Sequence, residues 1–247
     1  MAVDPWDIKT DDSRQEDTVN VFVIFCEDAV SEPSYFNSFA TDQLRINARG
    51  NYRSARLNLG ATVKDCLEDG YMEFTSAGYQ LKNMVTENLW CVYDRDLENS
   101  DLTMITEENN LQWSLAIQTA QKAGLKLAWS NDAFELWILL HFEDIDPNTA
   151  QHRDYIYNRL TEVFKTMADA SDTLKSFTAY EHFNYKGGMK RKSTFEEFVL
   201  PQLKSRTEIA IERAKNLADK FGDAMPYHQR NPCTQVYLLV QDLLANG

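Results

Sequence analysis

Apolar residues fall in short, dense runs over the first 150 positions and at wider, three-to-four-residue spacing beyond them. Residues 19–26, Val-Asn-Val-Phe-Val-Ile-Phe-Cys, are apolar almost throughout and rich in β-branched and aromatic side chains. That is the pattern of a strand buried on both faces, as in a parallel sheet. Pro33 with Tyr35, Phe36, Phe39 and Leu44 predicts a helix directly afterwards, and a strand followed at once by a helix opens an α/β unit. A second strand is expected within Tyr52–Leu59 and a helix around residues 72–86. Leu89–Tyr93 reads as another buried strand, stopping at Asp94. Leu111, Leu115, Ile117 and Ala120 recur at helical spacing, so residues 106–123 predict a helix that Gly124 closes. Leu125–Trp129 is a further short strand and Asp132–Phe142 an apolar helix after it.

Beyond residue 150 the strand signals stop. Residues 151–169, 193–220 and 234–245 read as helices, the second with a capping signature at Thr194 and Glu197. Between them, residues 184–192 (Asn-Tyr-Lys-Gly-Gly-Met-Lys-Arg-Lys) form a glycine-hinged basic loop, and Asn231 and Thr234 read as a turn and N-cap of the last helix. The expected architecture is α/β: a mostly parallel sheet with helices on both faces over residues 19–148, and a C-terminal helical region, 149–247, packed on it. Residues 1–18 carry six acids and two bases with little apolar content, the composition of a loose acidic arm.

The 247-residue chain is long enough to bury a core without disulfides or metal staples. Its 9 Gly and 6 Pro exclude collagen-like, linker-rich or largely disordered classes. No apolar run reaches the roughly 18–20 residues of a membrane helix, and the acidic start lacks the order of a signal peptide. A cytoplasmic protein without a membrane partner is expected. Cys26, Cys66, Cys91 and Cys233 stand far apart with no CxxC pair and read as reduced, small hydrophobes. With 38 acids against 25 bases, the net charge of −13 has the wrong sign for a coat on nucleic acid. It leaves room for an enzyme that meets nucleic acid through a local basic patch.

Candidate chemistry gathers where predicted strands end. Glu27 follows the first strand, and Asp94-Arg95-Asp96 follows Leu89–Tyr93. In open parallel sheets that edge binds ligands, because loops converge on it. In extended backbone Asp94 and Asp96 point the same way, so neighbouring strands would bring three carboxylates together. Such a cluster suits a hard, oxygen-seeking cation, Mg²⁺ or Mn²⁺. Helix capping or loop solvation is the competing reading of both features. A second Asp-x-Asp, at 144 and 146, sits in a Pro-containing loop without that context. Lys186, Lys190, Arg191 and Lys192 put four bases into seven residues beside Gly187-Gly188. They are either a solvated loop or a grip on phosphate. Residues 43–64 hold Arg45, Arg49, Arg53, Arg56 and Lys64 with no acid, and Tyr52 lies among them. This stretch is a nucleic-acid face, with Tyr52 stacking on a base, or a charge-balancing rim for the arm.

A strand ending in Glu, a helix, then a strand ending in Asp-x-Asp resembles the TOPRIM fold of primases, topoisomerases and defence nucleases. More narrowly, the chain resembles the RloB family, linked in bacteria to restriction and abortive-infection loci. The resemblance is carried by Phe25-Cys-Glu27, Glu32-Pro33-Ser-Tyr35-Phe36, Trp90-Cys-Val-Tyr-Asp94-Arg-Asp96, Ser130-Asn131-Asp-Ala-Phe134-Glu135-Leu-Trp137, Leu139-Leu-His141-Phe142, Tyr185-Lys186 with Gly188, and Asn231-Pro232-Cys-Thr234. These stretches run from residue 22 to about 240.

The resemblance implies a metal-dependent nuclease in which Asp94 and Asp96 hold one or two divalent ions. Glu27 would act as ligand or as general acid or base, and Glu135 as a further candidate, its alternative being a buried carboxylate bonded to Asn131 or backbone donors. It implies RNA (tRNA included) or DNA as substrate, antiphage defence as the setting, an ABC-type or AAA-type ATPase as partner and a homodimer as assembly. His141 reads as a core or helix-end residue. One departure falls in a sensitive place: where the family reads Cys-Glu-Gly-Glu-Lys-Thr-Glu-Pro, this chain has Cys26-Glu-Asp28-Ala29-Val30-Ser-Glu32-Pro33. A lost Lys and a lost Glu weaken the case for full activity. The alternative function is therefore a catalytically weakened subunit that binds and regulates a partner ATPase or nucleic acid. Nucleotide transfer ranks last, because no phosphate-cradling glycine loop is present.

Overall fold

The run of β-branched and aromatic residues that opens the chain forms β1 (Asn20–Phe25), whose last four residues are buried. A short α1 (Ser31–Asn37) follows, with Pro33 in its first turn, where a missing N–H costs nothing. The chain is seen here in a computed structural model that describes residues 19–50, 59–83, 85–97 and 99–247, with backbone alone at 59–61. It continues through β2 (Leu44–Arg49), α2 (Leu59–Glu68), β3 (Met72–Thr75), β4 (Gly78–Leu81), β5 (Asn88–Asp94), α3 (Glu107–Lys122), β6 (Lys126–Asn131) and α4 (Glu135–Leu140). The Thr106 hydroxyl caps α3 by accepting from the Asn109 N–H, and Gly124, at φ +90°, ends it.

The main sheet has the order β2-β1-β5-β6, all parallel, followed by β7 (Cys233–Thr234) antiparallel on β6. Alternation sends Phe22, Ile24, Trp90, Val92 and Ala128 to one buried cluster and Val23, Phe25, Leu89, Cys91, Leu127 and Trp129 to the other. Helices therefore cover both faces. The second cluster is closed by Trp113, Ile117 and Ala120 of α3.

The first cluster is closed by α4 and by the C-terminal helices. These are α5 (Arg153–Thr166), α6 (Asp172–Thr178), α7 (Tyr185–Gly188), α8 (Lys192–Thr194), α9 (Leu200–Lys204), α10 (Thr207–Ala218) and α11 (Val236–Asn246). A π-helical turn, Phe195–Val199, links α8 to α9. The cluster runs unbroken from Phe22 to Leu243. The α/β class, the mostly parallel sheet and the added C-terminal helices are as the sequence predicts.

Several local expectations are corrected. Leu44 opens the edge strand β2 rather than continuing a helix, which stops at Asn37. Residues 72–81 form a hairpin, not a helix: Gly78 takes φ +108° at the turn, and Phe74 packs on Tyr79 across the strands, rings 4.9 Å apart. A strand does occur beyond residue 150, because Cys233 and Thr234 pair with Asn131 and Ser130. Thr194 caps nothing, since its hydroxyl donates to the carbonyls of Gly188 and Arg191. Thr234 lies in β7 and Gln235 takes the N-cap position of α11, though the Thr234 hydroxyl still accepts the first helical N–H, that of Val236, at 3.3 Å. The predicted 184–192 loop contains α7, capped by Asn184, whose Oδ1 accepts from the Gly187 N–H at 2.8 Å. The acidic arm, Tyr52, Arg53 and Arg56 lie outside the described residues, as does the predicted strand at 52–59, apart from Leu59, which opens α2.

Candidate active site

The site follows from the strand order. β1 has β2 on one side and β5 on the other, so the chain leaves β1 toward one side and later returns on the opposite one. A crevice opens at such a reversal, beyond the carboxyl ends of the strands. Glu27 stands two residues past the end of β1, and Asp94 ends β5. The expectation that these strands are neighbours holds, with Phe25 opposite Cys91.

Asp94 is 9% exposed. Its backbone N–H donates to Glu27 Oε2 at 2.6 Å, and its own Oδ2 accepts the N–H of Phe134, at the start of α4, at 2.7 Å. Its Oδ1 is buried without a hydrogen-bond partner among the described residues. Burial pushes this carboxyl well above the usual carboxylate range, and the charges of Glu32, Glu27, Asp96 and Glu135 push the same way. An acid in this setting resists ionisation until a cation arrives.

Glu32 is the residue that sequence reasoning missed. It is 1% exposed, and its Oε2 accepts the N–H groups of Glu27 at 2.8 Å and Asp28 at 3.3 Å. Its Oε1 is buried and has no partner among the described residues. Burial, then Asp28 and Glu27, raise its carboxyl well above the ordinary value. Glu32 thus fixes the loop that presents Glu27. The available signal was an acid immediately before the first-turn proline of a buried helix. Asp28, where the family resemblance leads one to expect glycine, needs no left-handed backbone. Its Oδ1 accepts the N–H groups of Val30 and Ser31, at 2.9 Å for Ser31, and closes the turn into α1. Gly50 matters more to this loop: a Cβ there would lie 2.9 Å from the Ala29 backbone.

Asp96 is corrected in orientation. The carbonyl of Asp132 accepts the N–H groups of both Arg95 and Asp96, at 3.0 and 3.1 Å, and bends the chain as it leaves β5. Asp96 takes φ +53°, a conformation that Asp tolerates better than most residues. Its carboxylate pairs with Arg153, so the extended geometry that would aim it alongside Asp94 is not kept. Asp132, fully buried, also accepts from the N–H groups of Leu97 and Arg153, at 2.6 and 3.0 Å. Arg95 goes to the opposite sheet face, where it lies over the Trp113 ring and donates to the His228 carbonyl at 2.7 Å.

Glu135 is buried in the first turn of α4 but bonds neither Asn131 nor backbone donors among the described contacts. Its Oε1 pairs with Lys190 Nζ at 2.7 Å, and its Oε2 accepts from the Tyr157 hydroxyl at 3.4 Å. The four bases of the 184–192 segment are thereby separated. Lys190 turns inward, Lys186 sits over the Tyr157 ring at 5.3 Å, and Arg191 and Lys192 face solvent. In the other basic stretch, Arg49 pairs with Asp69 and Lys64 with Glu68, while Arg45 is exposed on the edge strand. His141 is a buried helix-end residue: its Nδ1–H donates to the Trp137 carbonyl at 2.9 Å, and burial pushes its pKa down to about 4. The four cysteines are free and buried.

As a donor set for a cation, Asp94, Glu27 and Asp96 are all oxygen, and the buried Asp94 Oδ1 is an acceptor that no described donor uses. Among the described residues no three carboxylate, His or Cys groups close into a cage. A small hard cation that takes one or two carboxylates, keeps waters and shares substrate oxygens fits what is present. Among the described residues no helix is long and apolar enough to cross a membrane.

No curated protein and no solved structure matches the chain. The model of the RloB-like protein family matches residues 22–243, which takes in both strand ends, the Glu32 loop, α4 and the Lys190 segment. With that match over nearly its whole length, the chain belongs to the RloB-like protein family.

Proposed function

We propose that this protein is a divalent-metal-dependent nuclease of TOPRIM type, hydrolysing phosphodiester bonds in RNA such as tRNA, or in DNA, as a toxic effector of bacterial antiphage defence. One observation carries the reading: Asp94 ends β5 at the reversal of strand order, one oxygen tied to Phe134 and the other buried without a partner among four further acids. Asp94 with Glu27, and Asp96 on leaving Arg153, would hold Mg²⁺ or Mn²⁺. The chemistry such an ion supplies is charge neutralisation on the phosphodiester and activation of the attacking water. In the hydrolysis the water oxygen bonds to phosphorus, the bond to the leaving oxygen breaks, and Glu27 takes the proton that the water gives up. The leaving oxygen then gains a proton from solvent. Lys186, Lys190, Arg191 and Lys192, with Arg53 and Arg56, would contact the strand. An ABC-type or AAA-type ATPase is the partner proposed to hold or trigger the effector, and a homodimer its assembly.

The test is cleavage of pooled tRNA, structured RNA and plasmid DNA in Mg²⁺ or Mn²⁺, with Asp94→Ala alongside. Cleavage that needs both metal and Asp94 supports the reading; metal-independent cleavage, or none, removes it. A second reading, a subunit that has given up turnover and regulates its partner, is favoured by the pairing of Asp96 with Arg153. Tight Mn²⁺ binding with no cleavage of any substrate would select it.

A further inference from the structure

We propose that Lys190 is a catalytic residue that donates to a non-bridging oxygen of the reacting phosphate, and that Glu135 and Tyr157 are the positioning residues that aim it. This rests on the nuclease reading and separates Lys190 from the strand-gripping bases with which it shares a segment.

The placement of Lys190 is built, not incidental. Asn184 caps α7, and the Tyr185 N–H donates to Thr161 Oγ1 of α5 at 2.9 Å. Gly188 lets the backbone approach the rings of Phe183 and Phe177, which a Cβ would meet at 3.1 and 3.4 Å. Met189 is fully buried. The chain is therefore pinned on the residue before Lys190, and its side chain reaches Glu135, one of the acids whose charge acts on Asp94, while Arg191 and Lys192 are exposed.

Once there, the ammonium has two partners among the described residues, Glu135 Oε1 at 2.7 Å and the Tyr157 hydroxyl at 3.3 Å. It carries three N–H donors, so one is left for a ligand. The Lys190 side chain is 31% exposed against 4% for Glu135, so its open side is the side a ligand reaches. Tyr157 links the groups by donating to Glu135 while accepting from Lys190. Burial alone would lower the lysine pKa, but Glu135 and Tyr157 outweigh it and raise it, so the ammonium stays protonated. No proton moves through Lys190. It opposes the charge that builds on phosphate oxygens as the water–phosphorus bond forms and the leaving bond breaks.

The competing role is structural: Lys190 merely neutralises a buried Glu135. Lys190→Met combined with Glu135→Gln separates the two, because it removes both charges and leaves no buried ion uncompensated. If that variant melts well below wild type, the pair was needed for the fold and the proposal is overturned. The assay is cleavage of pooled tRNA in Mg²⁺, with kcat and KM measured separately and Mn²⁺ affinity followed by calorimetry.

The double variant should lose about 100-fold or more in kcat, with KM and Mn²⁺ affinity little changed. Glu135→Gln alone should lose about tenfold through poorer aim, and Lys190→Arg should recover part of the loss of Lys190→Met. A double variant that cleaves as wild type does would show that Lys190 only balances charge. Wild type that cleaves none of the tRNA, RNA and DNA substrates would remove the nuclease reading and this role with it, a result distinct from an active wild type with an active double variant.

Discussion

The backbone N–H of Asp94 donates to the Glu27 carboxylate at 2.6 Å, so two acids from neighbouring strands are joined by a bond that uses one backbone and one side chain. The carboxylate of Asp94 is thereby left for other work, and the position of Glu27 is held from two directions, by Asp94 in front and by Glu32 behind.

Asp94→Asn should abolish Mn²⁺ binding and cleavage while leaving the metal-free melting temperature at neutral pH equal to or above wild type. The amide keeps an acceptor for the Phe134 N–H and, like the carboxyl that burial holds back from ionising, sets no charge among the neighbouring acids. Asp94→Ala strands that N–H and should cost about 1–3 kcal/mol. Thermal unfolding in EDTA checks the contrast, and equal losses in the two variants would contradict it.

Glu32→Ala should weaken Mn²⁺ binding by about tenfold or more, since groups that orient ligands count nearly as much as the ligands. Glu32→Gln keeps an acceptor for the N–H groups of Glu27 and Asp28 and should lose less. Calorimetry on both variants decides this, and an undiminished affinity in Glu32→Ala would mean that the loop holds itself.

Gly50→Ala drives a methyl group into the Ala29 backbone, which no side-chain rotation relieves. A destabilisation of about 1–3 kcal/mol is expected, together with a displaced Glu27 and poorer metal affinity. Urea unfolding and Mn²⁺ titration are the two measurements.

His141 gives a pH dependence of definite sign. Its pKa is depressed to about 4 in the folded protein, against about 6.5 when unfolded. Below 6.5 the unfolded chain takes up a proton that the folded one refuses. Stability from this group is therefore complete at neutral pH, falls as pH drops through that window, and levels off near 4. The full loss is about 3 kcal/mol. The stability difference between wild type and His141→Leu, followed by urea unfolding across pH 4–7, should shrink by that amount on the acid side. A pH-independent difference would place the histidine's titration elsewhere.

Arg191→Ala with Lys192→Ala should weaken binding of tRNA in Ca²⁺ and lower its salt slope by about 2. An unchanged slope would return both side chains to simple solvation.

What the sequence disclosed follows from burial. β1, β5 and β6 are apolar on both faces, so they stand out as continuous runs, and Glu27 and Asp94 stand out because they end two of them. β2 is an edge strand reading Leu-Arg-Ile-Asn-Ala-Arg, too polar to separate from a helix flank. The β3–β4 hairpin leaves Phe74 72% exposed, so its apolar residues do not mark an interior. Asp132, Arg153 and Tyr157 acquire their roles only when distant segments meet, and no local pattern announces them, whereas Glu32 acts on a loop four and five residues back. Likewise, nothing in the run Lys-Arg-Lys distinguishes residue 190 from its neighbours until Met189 is seen to be buried.

The antiparallel pairing of Cys233 and Thr234 with β6 has a consequence for synthesis. β6 ends at Asn131, beside the Asp132 that shapes the Asp94–Leu97 turn, and its outer edge is completed only by residues 233–234. A ribosome delivers the strand ends first and the Lys190 segment later, and the closing strand after both. The nascent chain thus lacks a finished crevice until residue 234 has emerged, which puts completion of the site after synthesis of all the residues that line it.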